Sequence, residues 1–287
     1  AELAPNDYIL KPFSSEKLLG RVSKALEKRD IFMPAYKLIE TGNTLEAIEA
    51  CRKGEEENPQ FLIDFLRLRA ELHLIAGQAD EAQEVYTKVV ENRAVPWAKL
   101  GLAKTLYMQK HFDEAEGQLQ GLLEENAMYL DAYDWLAKTR EAAGRLHEAQ
   151  EALEEAIKVS PHTMRRLRKL GEVSAEIGDN ETASRMMTTV VAKGKYSDFR
   201  DPEDHVQLVK AQLGMGDAVG AANTLRDLER NMDGLPKTAL CKALSTAMVA
   251  THAGDTDKAN AALDEAIRFN DPRLGASIGL KKNLARI

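Results

Sequence analysis

Gly144-Arg-Leu-His-Glu-Ala149-Gln-Glu-Ala-Leu153-Glu-Glu-Ala156-Ile-Lys-Val-Ser-Pro161 decides how this chain is read. A glycine stands where one helix can close, an alanine follows five residues later, and a proline stops the next helix twelve residues beyond it. Glycine takes the left-handed backbone of a helix end at least cost, and proline cannot continue a helix interior. The five-residue step recurs at Gly42/Ala47, Gly77/Ala82, Gly178/Ala183, Gly216/Ala221 and Gly254/Ala259. Phe112-Asp113-Glu114-Ala115 repeats it with Lys110 in the glycine's place. The alanines at 47, 82, 115, 149, 183, 221 and 259 are spaced by 35, 33, 34, 34, 38 and 38 residues. No stretch of residues 30–287 alternates at period two, so antiparallel helical pairs are expected there and no sheet.

With this spacing and its small residues at the helix contacts, the chain resembles the tetratricopeptide (TPR) repeat. The resemblance implies an all-α superhelical solenoid of about seven helix–turn–helix repeats over residues 30–272. Residues 273–287, with Leu280 and Leu284, are expected to form the capping helix a solenoid needs. Pro59, Pro161 and Pro272 end second helices as the family pattern requires. Asn43, Asp179, Asp217 and Asp255 follow four of the turn glycines and can cap second helices. Tyr86, Leu119, Leu153, Met187, Leu225 and Leu263, four residues after an alanine, are expected to fill the space between repeats. Pro34 falls inside the first helix of the first repeat, which is therefore expected to be short or kinked. The two steps of 38 imply surface loops around 193–202 and 231–236.

The first 29 residues depart from the repeat. Tyr8-Ile9-Leu10 is a short β-favouring run, Lys11-Pro12 turns the chain, and Ser14 or Ser15 can cap a helix. Leu18, Leu19, Val22 and Leu26 share one face of that helix. A strand, a Lys-Pro turn and an amphipathic helix in this order resemble the end of a CheY-like receiver domain of a bacterial two-component response regulator. The resemblance implies that Lys11 senses the phosphorylated aspartate, that Tyr8 is the switch aromatic, and that the Lys11–Pro12 peptide is cis. The other reading is a linker strand and a capping helix. The chain opens on Ala1 rather than Met, so a fragment is expected, with the acidic pair and the phospho-accepting aspartate upstream. A strand without neighbours templates association, so self-association through residues 7–13 is expected at high concentration.

Of 287 residues, 30% are charged and only 6% aromatic, which suits exposed helices better than a compact α/β enzyme. A formal charge of −7 argues against general nucleic-acid binding, because phosphate neutralisation needs clustered Lys and Arg. No apolar run reaches the ~20 residues of a membrane span, and no signal-peptide pattern opens the sequence. Cys51 and Cys241 fall in the first and seventh repeats, too far apart for a disulfide, and a cytoplasmic setting fits. The six histidines show no metal spacing. Gly214-Met-Gly216-Asp-Ala-Val-Gly220 mimics a phosphate loop but follows a helical pattern and lacks the Gly-Lys-Ser/Thr ending. No cofactor and no catalytic pair is proposed, so the chain is not read as an enzyme.

The functional surface implied by the TPR resemblance is a concave groove lined by the first helix of each repeat. In register, that wall holds Phe32, Tyr36, Asp64, Arg67, Glu71, Trp97, Leu100, Lys104 and Tyr107. It continues through Asp131, Asp134, Lys138, Arg165, Arg168, Glu172, Lys210, Leu244 and Met248. Arginine and aromatic side chains anchor interfaces, although Tyr36, Trp97 and Tyr107 could equally pack against neighbouring repeats. The basic run Met164–Lys169 either grips an acidic peptide or pairs with Asp131 and Asp134, and the acidic chain favours pairing. The wall lacks the Lys/Asn/Arg set with which chaperone-binding members hold a C-terminal carboxylate. The expected function is a response-regulator output module that binds a protein or peptide in the groove. A stand-alone TPR scaffold, or a TPR regulator that stimulates dephosphorylation of a partner receiver, would be the alternatives.

Overall fold

The computed structural model describes residues 10–235 and 237–286, and among them every regular element is helical. The chain divides into two compact units, the first ending at Ala127 and the second beginning at Met128. Unit 1 stacks three antiparallel pairs: α1 (Ser15–Glu40) with α2 (Thr44–Glu57), α3 (Leu62–Ile75) with α4 (Ala79–Asn92), and α5 (Pro96–Met108) with α6 (Phe112–Glu125). Unit 2 stacks four: α7 (Leu130–Ala142) with α8 (Leu146–Val159), α9 (Met164–Ile177) with α10 (Asn180–Gly194), α11 (Pro202–Gly214) with α12 (Ala218–Asn231), and α13 (Thr238–Ala253) with α14 (Thr256–Phe269). A final helix, α15 (Ile278–Arg286), follows.

The repeated glycines make the turns. Gly42, Gly77, Gly144, Gly178, Gly216 and Gly254 all have φ between 76° and 84°, and Lys110 holds the same left-handed place at φ 65°. The next residue reaches back to close the helix end: His111 N–H donates to Leu106 O at 2.9 Å, Arg145 N–H to Arg140 O at 2.8 Å. Asp179, Asp217 and Asp255 cap their second helices, accepting from Thr182, Gly220 and Lys258 N–H. Asn43 makes no such bond, contrary to expectation.

The alanines are the contact points. Six of the seven are fully buried and Ala259 is 8% exposed. Tyr86, Leu119, Leu153 and Met187 are buried as expected, and two of them lie directly on glycines of a neighbouring first helix. A Cβ on Gly101 would fall 2.2 Å from the Tyr86 ring, and one on Gly171 would fall 2.7 Å from Met187 Sδ. Gly54 meets Phe65 in the same way at 2.3 Å, and Phe65 in turn stacks on Phe32 with centroids 3.9 Å apart.

Other expectations change. α1 is neither short nor interrupted at Pro34: it runs 26 residues, Ser15–Glu40, through the proline. The proline costs one intrahelical bond, while Phe32 and Ala35, each 2% exposed, hold this stretch in the core. No strand precedes α1 among the described residues; Leu10 is exposed coil, and Tyr8 and Ile9 lie outside them. The Lys11–Pro12 peptide is cis, and Ser14 Oγ accepts Lys17 N–H at 3.2 Å. The 195–201 loop is exposed at Tyr196 and Phe199, but the 232–237 connection is not all surface, because Met232 is 2% exposed in the core of unit 2. Both cysteines are buried and free.

Candidate partner-binding surface

In unit 1 the predicted wall residues come together along α1, α3 and α5. Arg67 lies one helical turn before Glu71, with Nε 3.2 Å from its carboxylate. The same guanidinium sits over the Trp97 ring, 5.4 Å from its centroid. Such a cation–π contact holds an exposed arginine in place and keeps its remaining donors available. Trp97 is half-buried, set edge-on to Tyr86 at 6.2 Å and packed into the core formed by Ala82, Val85 and Val89. It is therefore both a surface and a packing residue.

Tyr36 is 38% exposed, tilted against Phe32 at 5.9 Å, and its hydroxyl is held above the ordinary tyrosine range by burial, then by Asp64. Lys28 Nζ closes on Asp64 at 2.6 Å. Tyr107 packs its ring 5.7 Å from Phe112, and Lys104 lies one turn before it on α5. Two residues assigned to the wall are not on it. Phe32 and Leu100 are buried, because a helix hydrophobic on two sides turns its larger side chains to the core.

In unit 2 the basic run is neutralised within the chain. Asp134 accepts from Arg166 Nε at 2.7 Å and Nη2 at 2.9 Å, and from Arg165 Nη2 at 2.8 Å. Arg166, not placed on the wall by sequence, is the buried partner at 6% exposure. Arg168 binds Asp204 through both Nε (2.6 Å) and Nη2 (2.8 Å), and Lys169 binds Glu141 at 2.8 Å. Asp131 enters none of these pairs. Glu172 accepts no hydrogen bond among the described residues, and burial lifts its carboxyl above the usual range. Lys138 lies over Trp135 with Nζ 4.1 Å from the ring centroid, and burial draws its ammonium below the ordinary lysine value. Trp135 was missed by the register, although its place three residues before Lys138 on one helix face was the available signal.

Leu244 is closed off and Met248 is half-buried. Leu244 is fully buried and Met248 packs against the same cluster, which Leu280 and Leu284 of α15 complete. In the 214–220 stretch Gly216 is a repeat turn and Gly220 N–H donates to the Asp217 cap. Among the described residues no group of three or more His, Cys, Asp or Glu could hold a metal ion, and no helix is long and apolar enough to cross a membrane.

Comparison with known proteins agrees with this architecture. Residues 73–138 and 130–163 match tetratricopeptide repeat families. No curated protein sequence matches the chain. The C-terminal part of a TPR repeat-containing protein from Cytophaga hutchinsonii superposes with a TM-score of 0.62 at 16% identity, covering 88% of this chain and 99% of that one. A tetratricopeptide repeat protein from Parabacteroides merdae gives 0.54 at 13% identity over 90% and 97%. YrrB, described as a TPR protein with an unusual peptide-binding site, gives 0.53 at 16% identity over 71% and 100%. At these identities the likeness establishes the fold, an all-α tetratricopeptide array, and nothing finer.

Proposed function

We propose that this tetratricopeptide array is a cytoplasmic protein-binding module that presents the Arg67–Trp97 shelf and Tyr36 of unit 1 to a peptide or protein segment. The observation that carries the reading is the guanidinium stacked at 5.4 Å on a half-buried indole. It is a pre-ordered pair of two side-chain types that often anchor interfaces, with Arg67 and nearby Tyr36 exposed. In the wider reading the array is the output part of a response regulator. α1 supports this: Leu18, Leu19, Val22 and Leu26 are 39–65% exposed on its first half, directly after the receiver-like Lys-Pro turn. A receiver's sheet seated on that face would share one unbroken helix with the first pair, whose core holds Phe32 and Ala35. Phosphorylation upstream would then tilt the first pair and alter access to the shelf. At high concentration residues 7–13 pair with a second copy.

Capture of binding proteins on immobilised chain tests the first part. The Tyr36→Ala/Arg67→Ala variant should lose the captured protein with its melting temperature nearly unchanged; equal capture overturns the assignment. The coding sequence before residue 1 tests the second, since an aspartate-rich loop about one strand into a receiver-length segment is required. Light scattering with and without residues 1–13 tests the third, and the same oligomeric state at every concentration would remove it.

A further inference from the structure

The helix expected to cap the stack packs beside α14 and also reaches first helices of unit 2. Ser277 starts it, accepting Leu280 N–H on Oγ at 3.0 Å while its own N–H donates to Glu203 Oε1 on α11 at 3.2 Å. Leu280, 1% exposed, belongs to the core cluster of Val206 on α11, Leu240 and Leu244 on α13, Leu228 on α12 and Ala266 on α14, and Leu284 packs on the same cluster one turn later. Lys282 reaches Glu176 at the end of α9 with Nζ–Oε1 2.6 Å. Gly279 allows the close approach, since a Cβ there would lie 3.2 Å from Gln207 Nε2.

One flank of this contact fits and the other does not. Asn283 is 3% exposed and its Nδ2 finds no acceptor. Beside it lies a cavity of about 380 Å³ lined by Lys169, Glu172, Gln207 and Lys210. A buried donor without a partner is a cost that a fully matched native contact avoids, and the cavity beside it leaves room for a longer side chain. α15 is also only nine residues long, too short to be stable as a helix without the surface beneath it.

We propose that the face built by α9, α11 and α13 is a seat for an amphipathic helix of a partner protein, and that α15 holds this seat in cis until displaced. The occupant is defined by what α15 shows: leucines at i and i+4, a small residue just before the first leucine, and a lysine two residues after it to meet Glu176. At the place of Asn283 the partner carries a longer polar side chain that enters the cavity. This site is independent of the unit 1 shelf. A tethered helix competes at roughly millimolar effective concentration, so the partner binds tightly only when its fit on the cavity flank is better.

The probe is a fluorescent synthetic peptide of residues 276–287. The full chain carrying Leu280→Asp should bind it saturably, and the unaltered chain at least tenfold more weakly. A peptide with Leu280→Asp should not bind, one with Asn283→Gln should bind more tightly, and Glu176→Lys in the chain should weaken binding unless the peptide carries Lys282→Glu. Absence of binding to a Leu280→Asp chain that still melts cooperatively overturns the proposal. Where that variant does not fold, hydrogen exchange on the unaltered chain decides. Amides of α15 should exchange at least tenfold faster than those of α11 and α13, and exchange only together with them overturns the proposal. Dimerisation of the unaltered chain that Leu280→Asp abolishes would assign the seat to a second copy, and so also overturns it.

Discussion

Gly101→Ala isolates the contact between a side chain and a facing backbone on which the stack of unit 1 depends. The new Cβ would lie 2.2 Å from Tyr86 Cε1 and 2.3 Å from Cζ, against the ~3.5–4.0 Å of an ordinary carbon contact. The ring would have to retreat by more than an ångström. It is 2% exposed and set edge-on to Trp97, so it has nowhere to go without moving α4 from α5. Overpacking of this kind costs about 1–3 kcal/mol or more, and alanine returns about 1 kcal/mol of helix propensity. With so little room for the ring the cost falls at the upper end, and the net expectation is a loss of about 1–2 kcal/mol. Urea unfolding read by Trp97 fluorescence, in a Trp135→Phe background so that only unit 1 reports, measures it as a lower midpoint at unchanged slope. A double-mutant cycle gives the cause: with Tyr86→Leu the ring is gone, and Gly101→Ala should turn from destabilising to stabilising by up to about 1 kcal/mol. Equal effects in both backgrounds would mean that Tyr86 does not pack on Gly101, and the reasoning fails.

Three further outcomes follow from single contacts. Lys110→Gly should raise the stability of unit 1 by about 0.5–1 kcal/mol, because a non-glycine residue in the left-handed region costs about 1–2 kcal/mol and glycine's extra unfolded-state freedom returns part of it; a lower urea midpoint would show that the lysine is not strained there. Arg168→Ala leaves Asp204, 3% exposed, as a buried carboxylate without its two bonds, and should cost unit 2 about 3 kcal/mol by chemical denaturation, whereas a loss below about 1 kcal/mol would mean that water replaces the arginine. Burial acts to raise the Asp179 carboxyl, but the Thr182 N–H and the Gln150 amide outweigh it and hold the group below its ordinary value. Its contribution is therefore complete above the ordinary aspartate pKa of about 4 and lost as pH falls through the depressed one; the roughly 1 kcal/mol penalty of Asp179→Ala should shrink between pH 5 and 3, and a constant penalty would deny the carboxylate its part.

The architecture was legible in the sequence because its determinants are local. A turn at Gly144 requires a left-handed backbone within one residue, and Ala149 must be small because two helices touch there; both demands repeat every ~34 residues and survive as letters. Even Lys110, the one departure, takes the geometry that the register assigns to it. The tertiary structure alone decided which wall residues remain a surface, because that depends on neighbours distant in the chain. Phe32 and Arg67 both fall on the wall by periodicity, yet stacking on Phe65 buries one and Trp97 holds the other in solvent. For the basic run from Met164 to Lys169 the acidic composition already favoured pairing within the chain, but of the partners only Asp134 was legible, and Asp204 and Glu141, 36 and 28 residues away along the chain, were not. The fate of α15 was the least readable. Leu280 and Leu284 mark an apolar face in any register, but only the cluster with Val206, Leu240 and Leu244 determines where that face is buried.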